Sequence, residues 1–221
     1  MLEILYEDNH LIAINKKKGI LVQGDKTGDK PLLEIVKEYI KKKYNKPGNV
    51  FLGTIHRLDR PTSGVLLFAK TSKALARMNL QFSNREVNKT YLAIVEKKPP
   101  AEQGKLKNFL KKNEKNNKSF IAKDGGKKAI LEYKLFKKFK NYFLLKIKPQ
   151  TGRHHQIRVQ LANIKCNIKG DVKYGAHRTN KNGGIDLHAW KIKFTHPIKK
   201  TSMQLIAPYP ANPFFNNKIF V

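Results

Sequence analysis

The densest group of chemically capable side chains is His56-Arg57-Leu58-Asp59-Arg60-Pro61-Thr62-Ser63-Gly64. Asp59 stands between Arg57 and Arg60 in a chain with 46 Lys plus Arg and only 16 Asp plus Glu. A carboxylate beside arginine is favoured in its charged form, and a charged Asp serves as nucleophile or base. The same residue would also suit a turn, its side chain capping nearby backbone amides. A second group, Gln150-Thr151-Gly152-Arg153-His154-His155-Gln156-Ile157-Arg158-Val159, combines two Arg, two His and two Gln, donors suited to phosphates and base edges. An ordinary basic surface helix would look similar. If that helix starts at His155, Arg158 and His154 share a face at the i, i+4 spacing. Adjacent histidines do not share a face, and no Cys or acidic partner lies nearby, so no metal site is expected.

The elements that must position these groups can be read from periodicity. A weak alternation at 2–6, a turn at Glu7-Asp8-Asn9 and an apolar run at 11–14 suggest a strand pair. A polar loop follows over 16–28. Residues 31–44 carry Leu32, Leu33, Val36, Tyr39 and Ile40 on one helical face, with Pro47-Gly48 as the stop. Short strands are expected at 50–55 and 65–69, so the Asp59 cluster is a loop between apolar strands. Ser72 is read as the N-cap of a helix running to about Phe82. Further strands are expected at 90–95, 130–136, 142–147, 187–194 and 203–206, and a helix at 156–163. Residues 97–128 are Lys-rich and broken by Pro99-Pro100 and Gly125-Gly126, which suits a flexible insertion or an exposed hairpin. Eight to ten strands and three or four helices without strict alternation point to an α+β fold with a mixed, mainly antiparallel sheet.

Composition narrows the partner. The formal net charge of the 221-residue chain is +30, yet 40% of its residues are hydrophobic and 10% aromatic, so it is built to fold rather than to remain a charged tail. A polyanion is the natural counterpart. Only seven of the basic residues are Arg (57, 60, 77, 85, 153, 158 and 178); the remaining 39 are Lys. Where Lys is the default, retained Arg marks positions that need a planar, bidentate fork. Cys166 is the only cysteine, which rules out an intramolecular disulfide and a Cys-based zinc site. No apolar run reaches the length of a bilayer span and no signal peptide opens the chain, so a cytoplasmic location is expected.

The clusters carry a resemblance. His56-Arg57-Leu58-Asp59 followed by Thr62-Ser63-Gly64 resembles the signature loop of the RluA-like family of RNA pseudouridine synthases. Lys89-Thr90-Tyr91 resembles the family's Lys-x-Tyr motif, and the stretch from Gly152 to Val159 its Gly-Arg-x-His-Gln-(Ile/Leu)-Arg-Val motif. Leu187-His188-Ala189 with His196-Pro197 is similar to its final strand, and Ile4 to Asp8 with Asn15-Lys16 to its N-terminal hairpin. The matches run in order over nearly the whole chain.

The resemblance implies the pseudouridine synthase catalytic fold as a single domain over 1–221, with the Lys-rich insertion at 97–128. It implies isomerisation of uridine to pseudouridine in ribosomal or transfer RNA, without metal or organic cofactor. Asp59 would be the essential carboxylate, by attack on the base, attack on the sugar or a glycal route. Tyr91 would pack on the target base and help remove the carbon 5 proton, and Arg158 would pair with Asp59 and keep it ionised. Arg57 resembles the residue that enters the RNA stack as the uridine leaves. His56, Arg60, Arg153, His155 and Gln156 are expected on the RNA. The target uridine must be flipped out at a cost of about a few kcal/mol, and a planar guanidinium suits the vacated gap.

Four positions depart from the family pattern: His154 where Ser or Thr is usual, Gln160 where His is common, and Lys17 and Lys18 where Pro and a small residue follow Asn-Lys. They bear on substrate choice rather than on Asp59, Tyr91 or Arg158. The separate N-terminal RNA-binding domain of many relatives is expected to be absent, and the protein to be a monomer. A non-catalytic RNA-binding or ribosome-assembly protein is the competing expectation, against which the intact Asp59, Tyr91 and Arg158 speak. A nuclease using Asp59 and His56 would lack a second carboxylate cluster for metal.

Overall fold

A computed structural model describes residues 2–24, 28–181, 183–210 and 214. Asp25, Lys26 and Thr27, in the expected polar loop, lie outside the described residues. The chain divides into two compact units, Met1–Val87 with Lys191–Pro208 and Asn88–Trp190 with Tyr209–Val221.

In the first unit, β1 (Ile4–Glu7) and β2 (Leu11–Lys16) form an antiparallel hairpin. Its turn is set by Asp8, whose Oδ1 accepts from the backbone N–H groups of His10 and Leu11, both at 2.8 Å. Strand β2 pairs antiparallel with β4 (Ser63–Ala69), in register from Leu11 opposite Ala69 to Lys16 opposite Gly64. All seven residues of β4 are buried, as expected of a strand covered on both faces. Helix α1 (Leu32–Lys43) buries Leu32, Val36 and Ile40, the face read from periodicity. Its C-terminal Lys43 joins Tyr39, Tyr44 and Lys70 around Glu7. Burial pushes the Glu7 carboxyl up, but these four donors outweigh it and hold it down at about 2.

Two expectations for this unit need correction. The strand expected at 50–55 shrinks to β3 (Gly53–Thr54), paired with the end of β4. A Cβ at Gly53 would come within 2.6 Å of a Leu75 methyl, so a side chain there would have to displace Leu75. Helix α2 (Ser72–Ser83) is capped by Thr71, not Ser72; the Thr71 hydroxyl accepts from Ala74 N–H at 3.2 Å.

The second unit holds β5 (Asn88–Val95), β6 (Gln103–Asn113), β7 (Lys118–Ile121), β8 (Lys127–Lys138) and β9 (Phe143–Pro149). They lie in the order β5-β9-β8-β6-β7, every neighbouring pair antiparallel. The Lys-rich stretch thus takes the second of its two expected forms, a hairpin, rather than that of a flexible insertion. Strand β6 pairs with β8 over eight residues from Gln103 opposite Lys134 to Leu110 opposite Lys127, and turns back into β7. Helix α3 (Gln156–Asn163) covers one face of this sheet. Ile157 and Leu161 join Ala93, Val95, Leu131, Tyr133, Leu145 and Ile147 in the core. A 3-10 turn, Val172–Tyr174, follows. Strand β10 (Leu187–Thr195) leads back into the first unit, where its end pairs antiparallel with β11 (Ser202–Ile206), from Lys191 opposite Ile206 to Thr195 opposite Ser202. The fold is α+β. Among the described residues it has eleven strands and three α-helices, one strand more than the upper expectation because 97–128 contributes two.

Candidate active site

In the first unit the loop 55–62 is anchored by apolar residues and displays polar ones between them. Ile55 and Leu58 are buried, Arg57 and Arg60 are exposed, and Asp59 is half-buried. The Asp59 carbonyl accepts from Thr62 N–H at 3.0 Å, closing a turn that leads into β4. Gly64, the first residue past that turn facing β2, has φ 115, a backbone state natural only to glycine. His56 Nε2 accepts from the backbone N–H of Leu67 at 3.1 Å, and its ring stacks on Phe82 with centroids 5.1 Å apart. One ring nitrogen therefore serves the strand.

Lys16 was not singled out by sequence as a site residue, yet it governs this loop. It is only 1% exposed, and its ammonium donates to the carbonyls of Lys17, Ile20 and Arg60 at 3.1, 2.8 and 3.1 Å. Arg60 O also accepts from Gly19 N–H at 2.9 Å, while the Arg60 side chain donates to Gly19 O at 3.0 Å and pairs with Asp29 at 2.7 Å. Arg60 thus ties the loop after Lys16 to the Asp59 loop. Burial pushes the Lys16 ammonium down to about 7, against the opposing pull of the Asp59 charge and with the help of Arg60. Only the charged form offers three N–H groups to the three carbonyls. Lys16→Met fills similar space but leaves buried acceptors unsatisfied. It is expected to lower the unfolding free energy by about 2–4 kcal/mol, read from urea melts; an unchanged midpoint would show that those carbonyls do not depend on the ammonium.

In the second unit, Tyr91 is half-buried on β5 opposite Ile147 and packs against the core. Lys89 lies two residues earlier on the same face, and burial pushes its ammonium below the usual lysine value. A Cβ at Gly152 would lie 3.8 Å from its Nζ, so the glycine of the second motif sits beside Lys89. Arg158, 5% exposed on α3, makes a bidentate pair with Asp171: Nε to Oδ2 at 2.7 Å and Nη2 to Oδ1 at 2.8 Å. Its guanidinium also lies over the Tyr174 ring, Cζ 5.0 Å from the centroid. The structure thereby adds Asp171 and Tyr174 to the residues that set Arg158; the signal available in sequence was a carboxylate kept in a carboxylate-poor chain.

The Tyr174 hydroxyl continues this network. It donates to Ser119 O at 3.1 Å and accepts from Ser119 N–H at 2.8 Å, which locks β7. With its one proton so used, it accepts from His155 Nδ1–H at 2.9 Å. His155 is the N-cap of α3 and has φ 51, left-handed. That reversal puts His154 outside the helix, so the i, i+4 relation between His154 and Arg158 does not hold. His154 instead stacks on His155 at 3.8 Å and its Nδ1 bonds the Ser119 hydroxyl at 2.8 Å. Gln156 is turned inward: its Oε1 accepts from Thr151 Oγ1 and Arg153 N–H, and its Nε2 donates to Ile130 O. Arg153 is exposed, with Nε on Lys128 O at 3.0 Å. Of the residues expected on RNA, Arg57 and Arg153 are exposed, whereas His155 and Gln156 build the scaffold.

Burial, aided by the charges of Arg158, His154, Lys173 and Lys112, pushes His155 down to about 2. The folded protein keeps this imidazole neutral while the unfolded chain protonates below about 6.5. The unfolded state then binds the extra proton, so stability falls as pH drops from about 6.5 toward 2, by at most about 1.4 kcal/mol per pH unit. Asn tolerates the left-handed backbone. The stability difference between the parent and His155→Asn is therefore expected to change along that slope; a constant difference between pH 7 and 4 would show no proton linkage at His155.

Among the described residues no group of three or more His, Cys, Asp or Glu could hold a metal ion, and no helix is long and apolar enough to cross a membrane.

Comparison with known proteins places these features. The family model for RNA pseudouridylate synthase matches residues 10–163, which include Asp59, Tyr91 and Arg158. The ribosomal large subunit pseudouridine synthase D of Borreliella burgdorferi is 37% identical over 196 residues, 86% of this chain and 60% of that protein. The ribosomal large subunit pseudouridine synthase C of Buchnera aphidicola from Baizongia pistaciae is 35% identical over 214 residues, 93% of this chain and 66% of that protein. The chain thus spans 60% and 66% of the length of these relatives. Among solved structures, human RNA pseudouridylate synthase domain containing 4 superposes with a TM-score of 0.77 over 96% of this chain and 90% of its own, at 23% identity, a likeness of fold. The chain belongs to the RNA pseudouridylate synthase family.

Proposed function

We propose that the protein isomerises uridine to pseudouridine in RNA, with ribosomal RNA as the substrate. The observation that carries this reading is the Asp59 loop: a half-buried carboxylate held on a turn by Leu58, Lys16 and Gly64, inside the segment matched by the family. The names of the relatives, ribosomal large subunit pseudouridine synthases, support the choice of RNA.

In this reading Asp59 is the essential carboxylate. The bond from ribose carbon 1′ to ring nitrogen 1 breaks, the uracil turns, and carbon 1′ rejoins through carbon 5. Nitrogen 1 gains a proton and carbon 5 loses one, so the sum is an isomerisation with no external reactant. Tyr91 packs on the turned base and assists removal of the carbon 5 proton. Arg158, oriented by Asp171 and Tyr174, favours the charged form of Asp59. Arg57, exposed beside Asp59, stacks into the gap left by the flipped nucleotide. Arg153 contributes a phosphate contact. Neither metal nor organic cofactor takes part, and the chain acts as a monomer.

The test is to incubate the purified protein with ribosomal and transfer RNA from cells lacking its gene and to map pseudouridine by chemical labelling. At least one uridine of large-subunit RNA is expected to gain the modification. If no position in either RNA changes, the reading fails.

A further inference from the structure

The sheet of the second unit has two faces with different chemistry. One carries Leu106, Leu110, Ser119, Leu131 and Tyr133 and is covered by α3 and the Tyr174 network. On the other, the period-2 alternation places Lys105, Lys107, Phe109 and Lys111 of β6, opposite Glu132, Ile130 and Lys128 of β8 and Phe120 of β7. Phe109 and Phe120 are 50% and 45% exposed. Phenylalanine is normally interior, so two large exposed rings on one strand pair call for a use. Lysines surround them: Lys107 and Lys111 flank Phe109 along β6, Lys128 faces it, and Lys111 faces Phe120.

At the other end of β6 the same sheet carries a concavity of about 400 Å³, with Lys105, Lys134, Lys146 and Lys148 in its lining. The carboxylate there, Glu132, is already engaged by Lys105 at 3.0 Å and Gln150 at 2.9 Å. From Gln103 to Lys111, β6 runs about 27 Å, long enough for several nucleotides of an extended strand.

We propose that this face binds single-stranded RNA, with bases stacked on Phe109 and Phe120 and phosphates drawn to the lysines, on the side of the sheet opposite Tyr91 and the α3 helix that carries Arg158. Interleaved aromatics and cations are the chemistry of single-strand platforms, since every base offers a stacking face and every nucleotide a phosphate. A duplex would expose its phosphates but not its base faces. A membrane or self-association surface would need contiguous apolar area, whereas here the rings sit among lysines. The proposal rests on RNA as the partner, not on the isomerisation.

Oligoadenylate, a 12-mer without uridine, is the probe for the full-length chain, so its binding is independent of turnover. Phe109→Ala with Phe120→Ala is expected to weaken binding tenfold or more, and Phe109→Tyr with Phe120→Tyr to restore it. Lys105→Gln, Lys134→Gln and Lys148→Gln together are expected to lower the slope of log affinity against log salt by about 2. Both rings and lysines are exposed, and unchanged thermal melts verify folding. Parent-like affinity in the alanine variant together with a parent-like salt slope in the glutamine variant overturns the proposal. So does a ring-dependent dimer, or ring-dependent binding to phosphatidylserine vesicles, found with RNA affinity unaltered. Ring-dependent oligoadenylate binding alongside a negative pseudouridine map would leave this face standing and remove the proposed activity.

Discussion

Asp59→Asn is expected to lower pseudouridine formation by about 10³-fold or more while RNA affinity stays within a few-fold of the parent. The substitution keeps the shape of the side chain but removes its charge, and an amide neither attacks nor takes up a proton as a carboxylate does. The loop has anchors that the substitution leaves in place. Its turn is closed by the Asp59 backbone carbonyl, its apolar anchor is Leu58, and its tie to the Lys16 loop runs through Arg60 O. The loss should therefore fall on the chemical step. Single-turnover rates on a labelled stem-loop, with filter binding of the same RNA, separate the two. Residual turnover within tenfold of the parent would remove Asp59 from the mechanism.

Arg158→Met is expected to destabilise the protein by about 3–5 kcal/mol. Asp171 is 1% exposed and gives both carboxylate oxygens to Arg158, so the single variant strands a buried charge. Replacing both partners removes that cost. Arg158→Met with Asp171→Leu is expected to recover at least half of the lost stability, because an apolar pair of similar volume needs no counter-charge. Activity should behave differently: if Arg158 favours the charged Asp59, the double variant regains stability but not isomerisation. Urea melts and single-turnover rates on the same preparations read both quantities. A single variant as stable as the parent would show that the pair is not a buried ionic lock, and a double variant that regains turnover would confine Arg158 to a structural role.

Much of the fold was legible because its signals are local. The apolar face of α1, the hairpin of β8 and β9 and the span of α3 follow from periodicities that a window of a dozen residues contains. The exceptions are instructive. Strand β6 alternates Lys-Leu-Lys-Asn-Phe-Leu, a half-covered strand whose solvent face is so basic that composition left a flexible insertion and an exposed hairpin as equal readings. The left-handed backbone at His155, just ahead of the helix expected at 156–163, leaves His154 outside it and breaks the expected link between His154 and Arg158.

For the site, the residue types in order along the chain were enough to mark Asp59, Tyr91 and Arg158 and to indicate the family, because motif spacing is a property of the chain itself. The sign of the charge, and with it a polyanion as partner, came the same way. Which polar groups build and which are displayed was decided only in three dimensions. Gln156 and His155 were expected at the RNA and instead cap and brace α3. Lys16 reads as one more lysine until its ammonium meets a carbonyl 44 residues away. Asp171 reads as a stray carboxylate until it closes on Arg158. Burial and hydrogen-bond partners are set by segments distant in sequence, and a buried charge takes its meaning from the partner that the fold delivers.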